Sequence, residues 1–120
     1  MAIEYEVDTN DGILIFRFSS PPVLEDYQSS FPVALREADA AGITRWLLVL
    51  EYSEPSSDEK IRAFNEFVAQ EISRYVTKMA VVCPLQGHAR LRDVLEPITN
   101  QGKDVEIFTT EEEAMTWLLQ

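Results

Sequence analysis

Five consecutive apolar residues, Trp46, Leu47, Leu48, Val49 and Leu50, run directly into the polar stretch EYSEPSSDE. In an extended chain successive side chains point to opposite faces, so this run carries apolar groups on both. Such a segment is stable as an interior strand covered by helices on both sides, which places the chain in the α/β class. The strand then delivers a helix N-terminus to the rim of the sheet. Ser56 stands at its N-cap: the hydroxyl accepts from the backbone N–H of Glu59, and the Glu59 carboxylate reaches back to the Ser56 N–H. That capping box is worth roughly 1 kcal/mol for the cap alone.

The flanking segments complete the pattern. Ile3, Tyr5 and Val7 alternate with Glu4, Glu6 and Asp8, which predicts a strand with one wet face at or near a sheet edge. Asn10, Asp11 and Gly12 supply positive-φ residues for a tight hairpin into a second strand, Gly12 to Phe18. Pro21 and Pro22 end it, with Ser20 in a cap position. Leu24, Tyr27, Phe31, Leu35 and Ala38 recur at helical spacing as far as Gly42, the expected C′ residue, and Pro32 is expected to kink or split that helix. Ile61, Phe64, Val68, Ile72 and Tyr75 mark the helix that Ser56 opens. Lys78 to Cys83 reads as a buried strand. His88 to Thr99 reads as a helix through Leu91, Val94, Leu95 and Ile98, its last turn shortened or bent by Pro97 and closed by Gly102. Val105, Ile107 and Phe108 form a last strand, and Thr109 or Thr110 opens a final helix through a T-x-x-E box with Glu112 or Glu113, docked by Ala114, Trp117 and Leu118. The order is ββαβαβαβα: a mostly parallel five-stranded sheet with an antiparallel first strand and about four helices, in one domain over residues 1–120.

A chain of 120 residues with 46% apolar residues buries roughly two thirds of its unfolded surface without staples. The single cysteine, Cys83, ends an apolar strand and reads as a buried, inert thiol. No apolar run approaches the roughly 20 residues of a membrane span, and MAIEYEVD has neither a basic region nor an apolar signal core, so a cytoplasmic protein is expected. Twenty-one acidic against ten basic residues give a net charge of −11, which repels phosphate backbones and anionic lipid surfaces and argues against nucleic acid as a partner.

Catalytic signals are absent. His88 is the single histidine, which rules out a multi-histidine metal site and leaves no nucleophile and base pair. There is no glycine-rich phosphate loop, no C-x-x-C and no G-x-S-x-G elbow. Neither a cofactor nor a metal is expected. Glu111, Glu112 and Glu113 diverge around a helix and read as a solvated, dipole-favourable first turn. With Arg90 and Arg92 nearby, His88 is placed to hold an anion where the Pro84 to Gly87 loop meets a helix N-terminus; the alternative is a plain polar helix start.

The whole arrangement resembles the STAS fold of the SpoIIAA-like family, which includes anti-sigma factor antagonists and the cytoplasmic domains of sulfate transporters. The likeness runs through the opening hairpin, the passage AAGITRWLLVLEYSE and the ending DVEIFTTEEEAMTWL, similar to the close of small stand-alone bacterial members. It implies a non-enzymatic regulatory module with a protein partner. In the antagonists an Asp-Ser-x-Gly loop after this strand carries a phosphorylated serine. Here the loop reads Ser53, Glu54, Pro55, Ser56, Ser57, Asp58; the Asp-Ser and Gly are missing, and Ser56 and Ser57 hold the comparable place. A phosphate there would meet Asp58 and Glu59 in the same turn and act by disrupting a docking surface. A distant relation to CRAL-TRIO domains implies the alternative, an apolar small-molecule or lipid binder using space beside Tyr27, Phe31 and Phe64. Either is compatible with a homodimer.

Overall fold

In a computed structural model of the chain, residues 3–19, 24–51, 75–85, 88–100 and 102–120 are described, the side chains of 24–28, 90–91, 93–94 and 97–98 excepted. They form β1 (Ile3–Asp8), β2 (Ile13–Phe18), α1 (Leu24–Ala40), β3 (Arg45–Leu50), β4 (Lys78–Val82), α2 (His88–Thr99), β5 (Asp104–Phe108) and α3 (Glu111–Leu118). The strands lie side by side in chain order, β1 antiparallel to β2 and the others parallel. This is the expected α/β sheet. Three helices are described where about four were expected. The helix expected over Ile61 to Tyr75 lies outside the described residues except for Tyr75, which stands in a turn and is 39% exposed.

Right-handed crossovers between neighbouring strands that advance in one direction all fall on the same side of a sheet. Phe31, Ala34 and Ala38 of α1 and Leu95 of α2 accordingly share one core with Leu14, Phe16, Trp46 and Met79. After β5 the chain turns to the opposite face, where Ala114 and Leu118 of α3 pack on Ile13, Leu47, Val49 and Ala80. The interior position of β3 follows directly: Trp46 lies between Leu14 and Met79 in register, and both Trp46 and Leu47 are 1% exposed.

Local chemistry explains the element ends. Gly42 (φ +70°) closes α1: its N–H donates to the Asp39 carbonyl at 3.0 Å, and the Ile43 N–H to the Ala38 carbonyl at 2.9 Å. Those are the two bonds of a Schellman motif, with Ile43 buried as its apolar partner. The opening turn differs from expectation. Of Asn10, Asp11 and Gly12, Gly12 alone has positive φ. The Asp8 carboxylate accepts from the N–H groups of Asn10 and Asp11, so those residues keep ordinary backbone conformations. Pro32 does not split α1, which continues through it to Ala40. Its lost backbone bond costs about 3 kcal/mol in a helix interior. The burial of Phe31 just before it and of Ala34 and Ala38 just after it holds both halves on the sheet.

Two groups tie stability to alkaline pH. Cys83 is 3% exposed, and burial pushes its thiol above the ordinary value of 9.0. The Tyr5 hydroxyl donates to Glu37 Oε1 at 3.2 Å; lost hydration and then the Glu37 carboxylate raise the phenol above its ordinary 10.0. Both hold their protons more tightly folded than unfolded. Their contribution is therefore complete below those ordinary values and is lost as pH rises through the raised ones. Urea midpoints should hold level up to pH 9.0 and fall above it. The fall should be smaller in the Cys83→Ala, Tyr5→Phe double variant; an identical alkaline slope in wild type and variant would remove these groups as its cause.

Candidate functional site

Four parallel strands, β2 to β5, end at one rim. Beyond β3, the Glu51 N–H donates to the Phe18 carbonyl at 2.9 Å, and beyond β4 the Cys83 N–H donates to the Phe108 carbonyl at 3.1 Å. From β4 the chain passes through Pro84 and Leu85 to α2 on one face; from β5 it passes through Thr109 and Thr110 to α3 on the other. Adjacent strands whose connections leave to opposite faces open a crevice at their carboxyl ends, the usual binding place in open α/β sheets.

The two sides of this crevice differ in charge. The first turn of α3 carries Glu111, Glu112 and Glu113, all exposed, whereas that of α2 has no acidic residue. The T-x-x-E box resolves to Thr110 and Glu113: the Thr110 hydroxyl accepts from the Glu113 N–H at 3.3 Å and donates to Glu113 Oε1 at 3.0 Å. Glu111 pairs with Arg17 of β2 at 2.8 Å. Among the described residues no group of three acidic, histidine or cysteine side chains is placed to hold a metal ion. No helix among them is long and apolar enough to cross a membrane.

His88 opens α2 half-buried, its Nε2 lying 3.1 Å from the Cys83 carbonyl. A carbonyl only accepts, so Nε2 carries the proton and the ring ties the helix start to the end of β4. Arg92, one turn further on, lines a groove beside β5 instead. The side chain of Arg90 lies outside the described residues, as do Ser53, Glu54, Ser56, Ser57 and Asp58. Leu85, which the sequence places unremarkably between Pro84 and Gly87, is 70% exposed at the rim. An apolar residue inside a Pro/Gly-bounded loop was the available signal for it.

The opposite end of the sheet holds a cleft of about 120 Å³ between the end of α1 and β3, lined by residues including Ala38, Gly42, Trp46 and Tyr75. Among the described residues the buried Trp46 Nε1–H finds no acceptor. Beneath α1 the rings pack closely: the Phe31 ring centroid lies 4.7 Å from that of Phe16 and 6.5 Å from that of Phe18. A lipid chain needs a pocket of several hundred Å³, so this cleft is of the wrong size for one.

No family model matches the chain, and no curated protein matches it in sequence.

Proposed function

We propose that the protein is a non-enzymatic regulatory or interaction module of STAS type, binding a protein partner at the carboxyl rim of its sheet. The observation that carries this reading is Leu85: a large apolar side chain, 70% exposed, at the mouth of the crevice between β4 and β5. Desolvating such a residue at the centre of an interface is favourable, and a surrounding polar rim lends specificity. The element order supports the STAS likeness, with the ββα opening and the βαβα ending as that resemblance implies. The described chain leaves β3 at Glu51 on this rim; Ser53 to Asp58 follow in sequence, and Ser56 and Ser57 are the proposed switch positions.

A photoreactive residue placed at position 85 should cross-link one predominant protein. Capture by a probe placed at position 88 should disappear in Leu85→Asp and weaken in Ser56→Asp and Ser57→Asp while circular dichroism stays that of the wild type. Undiminished capture in all three variants would count against the rim as the docking surface.

A further inference from the structure

β5 closes one side of the sheet; among the described residues no strand pairs with its outer edge. Two bonds decide which of its backbone groups are free. The Asp104 N–H donates to the Thr77 carbonyl at 3.3 Å, and the Phe108 carbonyl accepts from the Cys83 N–H at 3.1 Å. In a parallel ladder alternate residues turn both backbone groups to the same neighbour. Asp104, Glu106 and Phe108 therefore face β4, and Val105 and Ile107 direct their N–H and C=O groups outward. Their side chains, half-buried, lie with Leu95 of α2 in a groove of about 350 Å³ bordered by Arg92, Glu96 and Glu106. On the other face of the same edge Asp104 alternates with Glu106; both are exposed, and the ion pair found among the described residues, Arg17 with Glu111, uses neither.

We propose that this edge accepts an extended segment of a partner protein as an added strand, one that alternates apolar and basic residues. Its backbone pairs with Val105 and Ile107, its apolar side chains enter the groove over Leu95, and the intervening side chains meet Asp104 and Glu106 on the opposite face. Opposite charges at such cross-strand positions are favourable. The net charge of −11 draws in a basic segment and repels an acidic one. A second copy of this chain fits two of the self-pairing registers poorly. Antiparallel self-pairing that continues the sheet and is centred on Val105 or Glu106 sets Glu106 against Asp104 or Glu106 of the copy, a like-charge pair. This surface is separate from the rim, and neither depends on the other.

The full chain, isotopically labelled, is titrated with a short capped peptide alternating lysine and valine and with its glutamate counterpart. Amide shifts should concentrate in β5 and α2 with the lysine peptide and be absent with the glutamate one. Val105→Pro removes an N–H that β4 does not use, which an edge strand tolerates, and should weaken binding at least about tenfold. Glu106→Lys, at an exposed position, should exchange the preference between peptides; if the proline variant fails to fold, this variant decides alone. Equal response to both peptides, shifts confined to other elements, no binding of the lysine peptide, or wild-type affinity in the folded variants would overturn the proposal.

Discussion

Replacing Phe16 by alanine should lower the free energy of unfolding by about 3–5 kcal/mol, a large fraction of the 5–15 kcal/mol typical of a domain. Phe16 is fully buried in β2, and its ring centroid lies 4.7 Å from that of Phe31, 5.6 Å from Trp46, 6.2 Å from Phe18 and 6.4 Å from Tyr5. Its removal loses the transfer free energy of the ring and leaves a cavity. The surrounding rings, held by a helix on one side and backbone on the other, collapse into it only in part. Phe16→Leu keeps most of the volume and should cost under about 1.5 kcal/mol. Urea titrations with an unchanged slope measure both. A loss below about 1 kcal/mol for the alanine variant would mean that this aromatic cluster is not the tightly packed centre of the α1 face.

The second large effect is expected at Leu118. An eight-residue helix is far too short to persist alone. α3 buries two residues, Ala114 and Leu118, against Leu47, Val49 and Ala80. Its last turn is held by basic residues of the sheet: Arg45 Nη1 donates to the Leu118 carbonyl at 2.8 Å and Lys78 Nζ to the Trp117 carbonyl at 2.7 Å. Lys78 also lies over the Trp117 ring, 4.4 Å from its centroid, so charge, dipole and aromatic face act at one point. Those polar ties depend on the helix being seated, and Leu118 seats it. Leu118→Ala should therefore cost about 2–5 kcal/mol. It should also shift Trp117 emission toward that of an exposed indole before the rest of the chain unfolds. Unchanged emission together with a loss under about 1 kcal/mol would show that the polar ties alone suffice.

The strands and the order of the described elements were legible because their signals are local. The apolar run at Trp46 to Leu50, the alternation from Ile3 to Val7 and the Thr110 cap all declare themselves within a few residues. What the sequence hides is contact across distance. Nothing near Arg45 or Lys78 shows that they close a helix more than thirty residues away, or that Arg17 pairs with Glu111, because sheet register determines those meetings. Pro32 misleads for the same reason, since a local cost is outweighed by packing on a distant strand. At the site, His88 was legible as a helix start; its bond to the Cys83 carbonyl and the separate placement of Arg92 needed the fold.

The sheet is laid down in the order in which its strands occur along the chain. A ribosome emitting this polypeptide releases the β1–β2 hairpin first, the one pairing that closes a short loop. Every later strand then meets an edge already exposed to receive it. No late segment has to wedge between neighbours made earlier, so growth from the hairpin outward proceeds without dismantling what has formed. The helix that follows β5 then covers the face opposite α1.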